Sequence, residues 1–158
     1  LTVSQSIIFI ATRNAAEEVK MRMEAEGHKC SLLHGGLTPE ERDRVIDEFR
    51  HGGSKVLLST NVLARGIDVM QVSLVVNFDM PLTAGEKLPD PETYLHRIGR
   101  TGRFGRSGVA INLISNRESM AAVKAFESFF GRPIDRIPID DLEVIESKLG
   151  EVKQQNGA

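Results

Sequence analysis

Apolar residues along this chain fall into short runs separated by polar stretches of helical period. Ser6–Ile10, Cys30–Leu33, Val56–Thr60, Val72–Phe78 and Gly108–Ile114 are near-continuous apolar runs of strand length. Strands buried on both faces read this way, whereas those of an open antiparallel sheet alternate with polar residues. Between the runs lie helix signals. Asn14 stands three residues before Glu17, the spacing of a capping box, and Ala15, Val19 and Met23 follow at helical spacing up to Gly27. Thr38 predicts a second N-cap, with Pro39 in the first turn and Glu41 at the capping-box position. Arg42, Val45, Ile46 and Phe49 mark one face of that helix, and Gly52 and Gly53 stop it. A later helix should run from Arg117 to Phe130 with Met120, Val123, Phe126 and Phe130 inward. Ile134–Ile137 is a candidate for a final strand, Asp140–Leu149 for a short acidic helix, and Glu151–Ala158 for a frayed tail. Buried strands alternating with helices predict an α/β fold, an open parallel sheet with helices on both faces.

Composition narrows the picture without changing it. The 158 residues suit one domain, able to bury roughly 70 % of its unfolded surface. No internal repeat or linker divides it. With 41 % apolar and 27 % charged residues the chain reads as a soluble globular protein, and no apolar run nears the roughly 18 residues of a membrane span. No secretion or lipidation signal is visible, and a start at Leu1 rather than Met reads as an excised piece. The lone Cys30 has no internal disulfide partner. Its place in a strand run predicts a buried, inert thiol in a reducing compartment.

A net charge of -2 does not announce a nucleic-acid partner, but its distribution is uneven. Arg97, Arg100, Arg103 and Arg106 recur every third residue through a glycine-rich stretch, while acids gather at Glu40, Asp43 and Glu48 and from Asp140 to Glu146. Pro81–Pro91 is a polar loop that reads first as a tolerated surface insertion and second as a partner contact.

In an open parallel sheet, ligands bind beyond the carboxyl ends of the strands. Here those positions hold Ala11-Thr12-Arg13, His34-Gly35-Gly36, Thr60 through Asp68, and the stretch around His96. Hydroxyls, backbone exposed near glycines and arginines are what phosphate contacts require. The run His96-Arg97-Ile98-Gly99-Arg100-Thr101-Gly102-Arg103 is more specific, with three guanidiniums and two glycines in eight residues. Such cations repel one another unless an anion or an acidic surface is recruited, and arginine can neutralise charge developing on a transferred phosphoryl group. Two other classes were weighed against this reading. One is a non-enzymatic interaction module regulating a helicase or translation complex. The other, a metal-dependent nuclease, is disfavoured because His28, His34, His51 and His96 form no metal-ligand spacing and the acids no paired motif, so no metal site is expected.

Thr60–Asp68 and His96–Arg103 resemble the fifth and sixth motifs of the DEAD-box RNA helicases, in wording and in separation. Ser6–Arg13 resembles their fourth motif, and His34–Phe49 the segment that follows it. The resemblance implies a RecA-like helicase C-terminal domain over residues 1–139, with a terminal helix of the same domain over 140–150 and a flexible tail over 151–158. It implies arginine fingers at Arg100 and Arg103, with His96 and Arg97 joining the catalytic set by coupling the nucleotide site to the opposing domain. Asp68 is implied beside the ATP ribose, and Thr60, Gly66, Gly35, Gly36, Arg42 and Arg13 along single-stranded RNA. Pro39 replaces a glutamine found in many relatives, so any side-chain hydrogen bond from that glutamine is lost. Neither a GxxxxGK[ST] phosphate loop nor an Asp-Glu-Ala-Asp run occurs, so ATP and Mg2+ are expected mainly on a first RecA-like domain outside this chain, and the chain alone is expected to be inactive. The Pro81–Pro91 segment, with Glu92–His96 and Phe104–Gly108, is similar to the fungal nuclear-pore helicases of mRNA export. That similarity implies an inositol-hexakisphosphate-dependent activator as a partner and residence in cytoplasm and nucleus, at the cytoplasmic face of the pore. A helicase of translation initiation, or of another RNA-remodelling step, is the alternative.

Overall fold

The computed structural model describes residues 5–61, 72–102, 108–140 and 143–147. Five strands, β1 (Gln5–Phe9), β2 (Cys30–Leu33), β3 (Val56–Ser59), β4 (Val72–Asn77) and β5 (Val109–Asn112), form one sheet in the order β2-β3-β1-β4-β5, with every pair parallel. Among the described residues, helices α1 (Arg13–Ala25), α2 (Pro39–Arg50) and α3 (Pro91–Ile98) lie between strands, and α4 (Arg117–Phe130) follows β5.

Period-two side-chain direction divides β1 between two cores. Ile7 and Phe9 pack with Leu57, Val75 and Phe49 on the side covered by α2, whereas Ile8 and Ile10 pack with Leu58, Ala16, Val19 and Met23 on the side covered by α1. Helices therefore cover both faces, which is why the strands are apolar throughout. A third cluster joins α3 to α4, where Tyr94 stacks on Phe126 with ring centres 4.4 Å apart. Burying each such aromatic ring contributes about 2–3 kcal/mol.

The helix ends follow their chemistry with one change of register. Thr38 accepts from the Glu41 N–H at 3.2 Å while the Glu41 carboxylate accepts from the Thr38 N–H at 2.8 Å, the reciprocal box expected there. For α1 the cap is Thr12 rather than Asn14. Thr12 is extended and its hydroxyl accepts from the Ala15 N–H, so the helix starts at Arg13, and the Glu17 carboxylate goes to Arg13 instead. Helix α4 has the expected bounds, with Gly131 in the left-handed conformation after it.

One segment departs from expectation. Ile134–Ile137 forms no strand: Ile134 packs into the α3–α4 cluster and its N–H is taken by the Glu127 carboxylate, leaving the segment without a ladder partner. The Pro81–Pro91 stretch is a loop tied across its own base. Leu82 bridges Pro89, the Thr83 N–H reaches the Leu88 carbonyl at 2.8 Å, and Asp90 then caps α3 with Pro91 in its first turn. Residues 143–147 are helical within the expected acidic helix.

Candidate functional site

Because every strand runs the same way, all five carboxyl ends meet at one edge, and hydrogen bonds stitch that edge into a ribbon. Thr60 N donates to Leu33 O at 3.1 Å, Ile10 N to Ser59 O at 3.0 Å, Phe78 N to Phe9 O at 3.0 Å, and Leu113 N to Asn77 O at 3.0 Å. The Asp79 carboxylate adds a tie across the centre by accepting from the Ala11 N–H at 2.7 Å. A loop after one strand cannot shift without dragging its neighbour.

Arg97 is the hub of this edge. It is only 2 % exposed, and one Nη donates to the Asn77 side-chain oxygen at 3.1 Å and to the Asp79 carbonyl at 2.7 Å. The other Nη donates to the Asn61 side-chain oxygen, and the guanidinium lies 4.9 Å from the centre of the Phe9 ring. One side chain on α3 thereby holds the segment that follows β3, the end of β4, the turn beyond it and the end of β1. Burial pushes the Arg97 pKa down to about 10 against the opposing pull of Asp79 and Asp90, so the group remains a cation at neutral pH. Asn77 passes the connection onward. Its amide donates to Asn112 at 2.9 Å, and the Asn112 amide donates to the Tyr94 hydroxyl at 3.0 Å.

The residues after Arg97 continue as a turn. Arg100 N donates to Arg97 O at 3.1 Å and Thr101 N to Ile98 O at 3.2 Å, while the Arg100 Nε donates to the His96 carbonyl at 3.0 Å. A guanidinium on the last carbonyls of a helix complements their partial negative charge. His96 and Arg100 are half-buried beside each other. Gly108 backs this turn so closely that a Cβ there would overlap the Thr101 hydroxyl and the Gly102 nitrogen.

On the β2 side, the buried His34 accepts the Gly36 N–H on its Nδ1 at 3.0 Å, and a Cβ on Gly36 would lie 3.4 Å from an Arg13 Nη. Arg13, Gly35 and Gly36 are thus brought to one exposed corner, where Arg13 also pairs with Glu17 at 2.8 Å. Thr60 is half-buried at the neighbouring strand end, and Arg42 half-buried in the first turns of α2. Gly66, Asp68 and Arg103 lie outside the described residues. Of the residues expected in the catalytic set, Arg97 differs most from its expected setting: it is enclosed in the fold and organises other groups.

Asn61, Asn77, Asp79, Asn112 and Tyr94 were not singled out from sequence. Asn77 alone carried a usable signal, as an amide inside the apolar run Val72–Phe78 that a buried strand tolerates only with partners. Among the described residues no group of three or more His, Cys, Asp or Glu side chains converges as a metal site.

Residues 2–105 match the family model of the helicase conserved C-terminal domain. The chain belongs to that family. The match takes in every motif named above. Within the family the chain is a homologue of the C-terminal domain of the fungal DEAD-box protein Dbp5, and its sheet and helices are those of a RecA-like domain. The ATP-dependent RNA helicase dbp5 of Schizosaccharomyces pombe is 55 % identical over 146 residues, which are 92 % of this chain and 29 % of that protein. The solved C-terminal domain of the DEAD-box protein Dbp5 shares 49 % identity at a TM-score of 0.87, over 96 % of this chain and 84 % of that one. A variant of S. cerevisiae Dbp5 bound to a Gle1 variant and IP6 is similar at 48 % identity and a TM-score of 0.93, over 98 % of this chain and 40 % of that one. The chain spans 28 % to 34 % of the lengths of the curated relatives it matches.

Proposed function

We propose that this chain is the second half of an ATP-dependent RNA helicase, the half that supplies arginines to ATP held on a first domain and shares in gripping single-stranded RNA. The observation that carries the reading is the hub. Arg97 binds the start of the Thr60–Asp68 segment, through Asn61, to the helix that ends in Arg100, so the RNA-facing and nucleotide-facing parts of the edge move as one body.

On this reading Arg100, with Arg103, meets charge developing on the transferred phosphoryl group, as preorganised guanidiniums do. Asp68 accepts from the ribose. Arg13, Gly35, Gly36, Arg42, Thr60 and Gly66 line the RNA backbone, where such contacts position a strand without reading its sequence. ATP and Mg2+ are assigned on this reading mainly to the first domain, in keeping with the DEAD-box helicases that the chain resembles. The structure of a Dbp5 variant with Gle1 and IP6 supports an inositol-hexakisphosphate-dependent activator as a partner, and with it a role in mRNA export at the nuclear pore.

The test joins the chain to its first domain and follows RNA-stimulated ATP hydrolysis. Arg100→Ala and Arg103→Ala should each lower kcat by about 100-fold, near 3 kcal/mol, with the circular dichroism unchanged. Full turnover in both variants would remove the finger assignment.

A further inference from the structure

Helix α3 has two working faces. Its inner face carries Tyr94 and Arg97, both buried in the network described above. Its outer face carries Leu95, 51 % exposed, opposite Phe129 at the end of α4, 69 % exposed. Together with Asp90, Pro91, Glu92 and Phe130 these side chains line an open cleft of about 440 Å³. Phe130 forms its inner wall, edge-on to Phe129 with ring centres 5.0 Å apart and 6.0 Å from the Tyr94 ring. Exposed aromatic and leucine side chains gathered around a cleft mark interaction sites more often than scattered surface apolar residues do.

We propose that the α3–α4 cleft docks a segment of a protein partner that presents a bulky apolar side chain flanked by lysine or arginine. Charge selects this occupant. Among the described residues the charged ones lining the cleft are the carboxylates Asp90 and Glu92, so a basic flank finds partners at the rim while the apolar residue fills the floor. The same rim repels RNA and other polyanions. A second copy of this chain, placed face to face, would set acid against acid.

Docking there reaches the chemical edge through α3 itself, a consequence that rests on the helicase reading. Leu95 is two residues from Arg97, and its carbonyl accepts the Gly99 N–H at 2.9 Å where the helix gives way to the Arg100 turn. An occupant pressing on Leu95 and Phe129 bears on an eight-residue helix whose other side holds Asn61, Asn77 and Asp79. The cleft is thus a place from which a partner tunes turnover without touching ATP or RNA.

The probe is a short amphipathic helical peptide of leucine and alanine with lysine flanks, titrated into the 158-residue chain and followed by amide chemical shifts and anisotropy. Two twins accompany it, one with glutamate for lysine and one with serine for leucine. Shifts should centre on Leu95 and Phe129. Phe129→Ser should weaken the lysine peptide about tenfold, and Glu92→Lys about fivefold while strengthening the glutamate twin. Equal affinity for the lysine and glutamate twins, binding untouched by Phe129→Ser, or failure to bind at millimolar peptide overturns the proposal. Self-association that Phe129→Ser abolishes, seen by sedimentation, also overturns it in favour of a second copy. Glu92→Lys, a fully solvent-side change, keeps the test open should Phe129→Ser disturb the fold. With the first domain joined, the lysine peptide should change RNA-stimulated kcat in the wild type and not in Phe129→Ser, whose turnover without peptide stays normal. Docking without that change overturns the regulatory part. Normal turnover in Arg100→Ala and Arg103→Ala would overturn the finger reading and leave peptide binding where it was.

Discussion

Arg97 stacks its guanidinium on the ring of Phe9, 4.9 Å from its centre, so the last residue of the central strand is roofed by a cation from a helix more than eighty residues later. Removing it takes the donor from the buried Asn77 oxygen and from the part-buried contacts with Asn61 and Asp79. Arg97→Ala should cost about 3–4 kcal/mol in urea denaturation. Arg97→Lys should recover only part of that, because a point-like ammonium cannot span acceptors that a planar fork reaches together. A lysine variant as stable as the wild type would remove the hub role.

The pH dependence of this contact has a definite sign. Burial holds the folded pKa near 10, below the ordinary arginine value, so between the two the unfolded chain binds the proton more tightly. The contribution of Arg97 to stability therefore rises with pH across that alkaline window and is flat below it. The stability gap between wild type and Arg97→Ala should not change between about pH 6 and pH 9. A slope in that range would point to a different titrating partner.

Asp90 predicts the opposite limb. Burial raises its pKa, but hydrogen bonds from the Thr93 N–H and hydroxyl, at 3.0 and 2.7 Å, outweigh burial and leave it below the ordinary 3.8. A depressed carboxylate stabilises the fold above its unfolded pKa and loses that contribution as pH falls through the folded value. Asn can still cap α3, so Asp90→Asn should cost less than about 1 kcal/mol at pH 7. That difference should narrow in denaturation curves as pH falls below the ordinary 3.8 toward the lower folded value.

Gly108 makes a steric prediction about the arginine turn. A methyl group there meets the Thr101 hydroxyl and the Gly102 backbone, neither of which can yield without moving the turn that begins at Arg100. Gly108→Ala should lose at least about 2 kcal/mol and lower RNA-stimulated turnover with it. Gly131→Ala is the control. Its φ of +62° disfavours a side chain, but the space around it is open, so about 1 kcal/mol and normal turnover are expected.

At the far edge of the sheet, Gln5 separates stability from activity. Its buried amide donates to the carbonyls of Phe49 and Ser54, pinning the end of α2 beneath β1. Gln5→Ala should cost about 2 kcal/mol by stranding those carbonyls. Turnover per folded molecule should stay unchanged, which activity normalised to the folded fraction will measure.

What could be read from the chain followed the locality of each signal. The five strands of the sheet, the Thr38 cap and the full span of α4 rest on neighbours a few residues apart, and these are present, whereas the short run Ile134–Ile137 has no ladder partner. The cap of α1 was misplaced by two residues because Thr12 and Asn14 are both good caps, and only the extended backbone at Thr12 separates them. Helix α3 was overlooked although Asp90-Pro91 marks its start, since the arginines and glycines after it drew the stretch toward a loop. The relay from Asn61 through Arg97 and Asn77 to Asn112 and Tyr94 joins residues 18 to 36 positions apart, and no periodicity reports such pairs. They become visible only once the parallel sheet has set their strand ends side by side.

The strand order β2-β3-β1-β4-β5 has a consequence for how the chain acquires its shape. Strands β1 and β2 are not neighbours, so among the described strands those synthesised up to Leu33 include no adjoining pair. The first ladder can close only when Val56–Ser59 arrives to slot between them, and β1 waits further for Val72–Asn77 on its other side. Every ladder spans an intervening helix or loop, so entropy must be lost before contact rewards it, and folding should be slow and late. A ribosome stalled before β3 would display two unpaired apolar strands, the state in which this domain most needs a chaperone.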